Sequence, residues 1–222
     1  MSEDVARSAL IRDGLSAADR RVALCRAFDV GLALLALVVL APLMVVVAVA
    51  VALDCRGWVI FADPRLGLGG RTFRVLKFTT MCVDADAAPA RHLEEDEGAR
   101  SEWERDFKLR RDPSISPLGA FLRRSSLDEL PQLINVLVGE MSIVGPRPIV
   151  EAERARYGEM FAAYCSVRPG LTGVWRIGGR NGVSYARRVE MDARYTREKS
   201  LWLDARVVLA TVPALLLHRG AD

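Results

Sequence analysis

Hydrophobic and polar positions are divided unevenly along this chain. From Val30 to Leu53 run 24 residues without a charge. As a helix rising 1.5 Å per residue, that run reaches roughly 36 Å, enough to cross a bilayer core. A signal peptide fits poorly, because about thirty residues precede the run and no small-residue cleavage site follows it cleanly. Pro42 stands in the middle, where it removes a helix hydrogen bond and forces a kink. Arg20, Arg21 and Arg26 precede the run, and Arg56, Arg65, Arg71, Arg74 and Lys77 follow it. The positive-inside bias then favours both ends on the cytoplasmic side. On these residues a straight membrane anchor and a re-entrant hairpin broken at Pro42 both stay open.

The rest of the pattern is short-ranged. Residues 1–19 are polar and alanine-rich with no apolar period, and read as a mobile arm. The membrane element occupies 20–57 and a cytoplasmic domain 58–222. In that domain Trp58–Phe61 and Thr72–Phe78 read as strands, with turn signals at Asp63-Pro64 and Gly67–Gly70 between them. The glycine loop lacks the G-K-[ST] ending of a P-loop and reads as a plain turn. Residues 83–112 are heavily charged and predict a solvated excursion. Met141–Val144 suits a short strand, 168–173 and 178–182 suit loops, and Val183–Arg197 suits a charged helix. Leu201–Leu217 is an apolar helix candidate interrupted by Asp204 and Arg206. It is too short and polar to span, so it lies along the membrane interface or packs on the core. The fold class expected is a helix-rich, mixed α/β domain without the alternation of a doubly wound sheet.

Composition removes several functions. A net charge of +3 over 222 residues, with no consistently basic stretch, gives no reason to expect nucleic acid. Cys25, Cys55, Cys82 and Cys165 form no C-x-x-C pair, which argues against a disulfide framework or a zinc site. His92 and His218 are the only histidines and neither sits in a motif, which argues against a histidine-activated nucleophile. Nothing decides whether the chain forms a homodimer.

The candidate chemistry lies in Ser125–Leu137, SSLDELPQLINVL. Asp128 and Glu129 stand side by side at a helix start, whose positive field favours ionised carboxylates. Such carboxylates serve as phosphorus nucleophiles or Mg²⁺ ligands. Ser126-Leu127-Asp128-Glu129 also matches a capping box, so helix physics alone leaves capping and catalysis as alternatives. Asp128, Gln132 and Asn135 share a polar face, which makes Gln132 and Asn135 candidates for substrate contact, opposite a stripe of Leu127, Leu130, Ile134 and Leu137 or Val138. Arg147, held between Pro146 and Pro148, favours catalysis. A rigidly placed guanidinium suits bidentate contact with phosphate. Arg123 and Lys77 are further candidates for phosphate, whereas Arg124 reads as a solvated charge. Asp84-Ala85-Asp86 has the D-x-D pattern of metal-dependent glycosyltransferases, in a stretch acidic enough to be a plain solvated loop.

With these residues in view, the chain resembles the bacterial sugar transferase family, the small monotopic phosphoglycosyl transferases. The resemblance covers Ala27–Leu217. It is carried by RLGLGGRTFRVLKFTTM, LRRSSLDELPQLINVLVGEMSIVGPRPIV, VRPGLTGVWRIGGRN and SLWLDARVVLATVPALLL. It implies a monotopic protein of the bacterial inner membrane, with a re-entrant helix broken at Pro42 and a catalytic domain on the cytoplasmic face. It implies transfer of a hexose 1-phosphate from a UDP-sugar to polyprenyl phosphate, undecaprenyl phosphate in the exopolysaccharide branch. Asp128 is then the nucleophile, Asp128 and Glu129 hold Mg²⁺, and UMP is released. The sequence departs from the family pattern at Ala41-Pro42, where many members have Ser-Pro. It departs again at Lys77-Phe78-Thr79-Thr80-Met81, which lacks an arginine, and at Ala62-Asp63-Pro64. Two other functions remain: a metal-dependent glycosyltransferase using Asp84 and Asp86, and a non-catalytic membrane-surface scaffold.

Overall fold

The computed structural model describes residues 17–55, 57–81, 114–178 and 184–216. The predicted arm 1–19 and the excursion 83–112, with Asp84 and Asp86, lie wholly or mostly outside them. Helix α1 (Ala17–Asp54) is a single 38-residue element that contains Pro42. Its apolar stretch is long enough to cross a membrane, and little of it is covered by the rest of the protein. Where it is covered, the contacts fall at both ends. Ala33, with Leu32, Ala36 and Leu37 beside it, joins the main core; Val47 and Val51 join a second cluster with Phe78 and Leu122. Polar contacts follow the same division. Arg26 donates to the Leu137 carbonyl and Ser142 donates to Asp29, while Ser116 donates to Asp54 near the other end.

Strands β1 (Ile60–Leu66) and β2 (Thr72–Phe78) form an antiparallel hairpin that pairs Phe61 with Lys77 and Leu66 with Thr72. This corrects the sequence expectation in one place. Asp63-Pro64 is not a turn but lies within β1, opposite Val75 and Arg74. A two-stranded hairpin has only edge strands, so a proline with no N–H to donate is tolerated there. The reversal is made by Gly67–Gly70, where Gly69 and Gly70 adopt positive φ.

Helix α2 (Pro117–Ser125) starts at Ser116, whose hydroxyl caps the Gly119 N–H at 2.9 Å. A 3₁₀ turn, Leu127–Glu129, links it to α3 (Gln132–Val138). Strand β3 (Ser142–Val144) pairs in parallel with β4 (Gly170–Thr172), and the short helices α4 (Arg154–Tyr157) and α5 (Phe161–Cys165) lie between them in sequence. Helices α6 (Val174–Ile177), α7 (Tyr185–Glu198) and α8 (Leu201–Leu216) complete the described chain. Helix α8 packs Val207 into the main core while leaving Trp202, Leu209 and Val212 exposed. Its buried Asp204 accepts the Tyr195 hydroxyl at 2.7 Å, which explains a carboxylate in an apolar helix.

The amphipathic reading of helix α3 holds in part: Leu137 packs against the main core, and Leu127 and Leu130 before the helix against the second cluster, but the polar face is turned inward. Gln132 and Asn135 are buried, with Leu133 and Val136, while Ile134 and Val138 are exposed. The reason is the edge of the hairpin. Asn135 accepts the Leu76 N–H at 3.0 Å and donates to the Arg74 carbonyl at 2.8 Å and to Glu140 at 2.7 Å. An inward-facing amide thereby supplies hydrogen bonds that a leucine could not.

Candidate active site

Ser126 ends α2 in the left-handed region, at φ 57°, the only non-glycine with positive φ among the described residues. Such conformations cost energy and gather at functional sites. The twist swings the next residues into a 3₁₀ turn that carries Asp128 and Glu129. The capping box, one of the two alternatives for Ser126 and Glu129, is not formed, because Ser126 makes no side-chain cap hydrogen bond. Its Oγ is instead buried without a hydrogen-bond partner. Asp128 is 9 % exposed. Glu129 forms an ion pair with Arg176, 47 residues away in sequence.

Cations surround this turn. Lys77 reaches it from β2; burial pulls its ammonium below the usual lysine range, while the charges of Glu129 and Asp128 pull it back. Burial likewise lowers the Arg147 guanidinium, with the Arg188 charge next and Glu153 opposing. Arg123 donates Nε to the Thr80 hydroxyl at 2.8 Å, which anchors it at the end of β2. Of the residues singled out in sequence, the structure thus gathers Asp128, Glu129, Lys77 and Arg147. Gln132 is buried at the start of α3, and Asn135 is committed to the hairpin.

The proline-flanked arginine is placed by backbone packing. The Gly145 N–H donates to the Thr172 carbonyl at 2.9 Å, and the Gly170 N–H to the Pro146 carbonyl at 2.8 Å. The two segments lie so close that a Cβ on Gly170 would meet the Gly145 nitrogen at 2.1 Å. Glycine is required there for space. This packing brings Trp175 beneath both arginines, with the Arg147 guanidinium 5.7 Å and that of Arg176 5.1 Å from its ring centroid. From α7, Asp192 accepts the Arg147 backbone N–H and, at 2.8 Å, the Tyr157 hydroxyl.

Arg176, Trp175 and Asp192 were not singled out from sequence. Arg176 sits inside the conspicuous block VRPGLTGVWRIGGRN, but Asp192 lies on a charged helix with no motif around it.

The bacterial sugar transferase model matches residues 20–218. The chain belongs to this family. Among sugar transferases it is 45% identical over 196 residues to the exopolysaccharide production protein ExoY of Sinorhizobium fredii, covering 88% of this chain and 87% of that one. It is 44% identical to the UDP-galactose-lipid carrier transferase of Erwinia amylovora, and 41% to the undecaprenyl-phosphate galactose phosphotransferase of Salmonella typhimurium. Each of those alignments covers 88% of this chain but 41% of the relative, so the chain spans about two-fifths of these longer sugar transferases.

A divalent cation can be tested against the donors present. No group of three or more His, Cys, Asp or Glu stands ready to hold a metal among the described residues. Mg²⁺ does not need one, since it is usually held by one or two carboxylates together with substrate phosphates and water. Asp128 and Glu129 are donors of that kind, and they fit a cation whose shell a diphosphate completes.

Proposed function

We propose that this sugar transferase moves a hexose 1-phosphate from a UDP-sugar to polyprenyl phosphate, as a membrane step of exopolysaccharide or other glycoconjugate synthesis. The observation that carries the reading is the buried carboxylate of Asp128 on a strained turn, within the field of Lys77 and beside the Glu129–Arg176 ion pair. The Erwinia and Salmonella relatives, a UDP-galactose-lipid carrier transferase and an undecaprenyl-phosphate galactose phosphotransferase, bear names that fit the same reaction.

The chemistry follows from the arrangement. An Asp128 Oδ attacks the β-phosphorus of the UDP-sugar, an O–P bond to aspartate forms, and the bond to UMP breaks. A phosphate oxygen of the polyprenyl phosphate then attacks the same phosphorus. The bond to Asp128 breaks, and the carboxylate is restored as the lipid diphosphosugar leaves. Lys77 and Arg147 offset the negative charge that builds on the phosphoryl oxygens, the contribution expected to dominate the rate. Arg123, tied to Thr80, flanks the same turn. Asp128 and Glu129 would hold Mg²⁺, which would supply further charge neutralisation to the diphosphate. Asn135 serves by fixing α3 against β2, and Gln132 lines the inner side of that helix.

The helix α1 is proposed to enter and leave the membrane on the cytoplasmic face, bending at Pro42. The support is that Arg26 and Asp29 before the apolar run, and Asp54 after it, all bond to one domain. A straight crossing would carry those ends to opposite sides. A membrane-impermeant thiol reagent, applied to cysteines placed at each terminus in a background without native cysteines, should label neither in intact spheroplasts. Labelling of one terminus alone would establish a single span.

Nucleotide release tests the reaction. With UDP-hexose and polyprenyl phosphate the protein should release UMP. Release of UDP would mean transfer without the phosphate, and release of neither would favour a scaffold.

A further inference from the structure

Resting on this reading, we propose that Arg176 is a phosphate ligand as well as the partner of Glu129. Its Nη2 holds the carboxylate, while its Nε–H is offered to a phosphate oxygen of a bound substrate.

Arg176 is 6% exposed. Its Nε is buried without any hydrogen-bond partner, although Nη2 on the same guanidinium is engaged with Glu129. A buried guanidinium N–H left unpaired is costly, because it has lost water and gained nothing. Such groups are rare in folded proteins, and one beside a candidate nucleophile calls for a partner. The surroundings say what that partner is. The side chain lies 5.1 Å from the Trp175 ring centroid, the same ring that Arg147 approaches at 5.7 Å. Lys77 stands within the field of the same acidic pair. The unpaired donor belongs to a guanidinium whose neighbours include Arg147 and Lys77, so the acceptor it suits best is an anionic oxygen.

The guanidinium's rigid fork makes both tasks compatible. Nε and Nη2 point along one edge of the plane, so one arginine can hold a carboxylate and a phosphate oxygen side by side. A lysine has a single nitrogen and a glutamine has no charge, so neither reproduces both contacts. A phosphate oxygen can come from the UDP-sugar diphosphate or from the polyprenyl phosphate, and the experiment separates these sources.

Direct binding of UDP-hexose is measured by calorimetry on the full-length protein in nanodiscs. The Asp128→Asn background keeps turnover from consuming the ligand. Arg176→Gln and Arg176→Lys are compared in that background and, for steady-state kinetics, in the parent. Thermal denaturation selects the variants that remain folded. If the diphosphate is the ligand, both substitutions weaken UDP-hexose binding about tenfold or more, as expected for loss of a charged hydrogen bond. If the acceptor supplies the oxygen, UDP-hexose binding is unchanged, while KM for polyprenyl phosphate rises by a similar factor. Either result supports the assignment. A fall in kcat with donor affinity and both KM values unchanged would overturn it, leaving Arg176 as a positioning residue for Glu129. Parent protein that releases UMP while both variants behave normally would overturn this inference alone. Parent protein that binds no sugar nucleotide would overturn the proposed function as well.

Discussion

Two buried acidic centres in this molecule are built on opposite plans. In one, Asp29 on α1 accepts the Ser142 hydroxyl at 2.8 Å and the Ile143 N–H at 2.9 Å, and nearby Asp204 accepts the Tyr195 hydroxyl. Neutral donors hold these carboxylates, and their effect is to clamp α1 and α8 to β3 and α7. In the other, Asp128 and Glu129 sit on a strained turn among Lys77, Arg147 and Arg176. There the Arg176 Nε and Ser126 Oγ are left unpartnered. The first centre joins elements of the fold to one another, whereas the second sets a cationic donor with no acceptor among the described residues beside the acidic pair.

The comparison breaks most sharply on the nucleophile. Asp128→Asn keeps the shape but removes the anionic oxygen, so transfer should fall by about three orders of magnitude or more while the melting temperature barely moves. Retention of more than a few per cent of activity in a folded variant would show that the acidic turn is structural after all. Next is Arg147→Lys, which keeps the charge and loses the fork. Activity should drop by roughly one to two orders of magnitude with little change in stability. An unaltered lysine variant would mean that a point charge suffices.

The reverse signature is expected at the other centre. Asp29→Ala leaves the Ser142 and Ile143 donors unpaired, at a cost of about 2–3 kcal/mol of stability. Activity per folded molecule should be unchanged, as read by thermal denaturation and by assay of the remaining folded fraction. A loss of activity without loss of stability would join the two centres functionally.

The smallest effect concerns Asp192, which accepts the Arg147 backbone N–H. Burial, opposed by the Tyr157 and Arg147 hydrogen bonds, pushes its carboxyl up from 3.8 to about 7. Between those values the folded protein binds a proton that the unfolded chain does not. That contribution to stability is complete below about 4 and is lost as the pH rises to 7. Asp192→Asn should remove it, so the variant's melting temperature should decline less than the parent's between pH 4 and 7. Parallel profiles would place the Asp192 titration outside that window.

Local chemistry made much of this molecule legible in its sequence. The apolar run needs only 24 uncharged residues to declare itself. The strand Thr72–Phe78, the helix near Leu201 and the tight turn at Gly67–Gly70 follow from short-range preferences. Asp128 and Glu129 stood out as adjacent carboxylates, and Arg147 by its flanking prolines. What the tertiary structure alone decided are the long-range partners. The pairing of β3 with β4 joins segments 28 residues apart (170 − 142 = 28), and the Glu129–Arg176 ion pair spans 47. Neither leaves a periodic trace, because two groups that meet across a fold need share no pattern along the chain. The same reason turned Asn135 inward to serve the edge of β2, and put Pro64 inside a strand where its ring signalled a turn. It also set both ends of α1 against one domain, a placement that hydropathy alone left open.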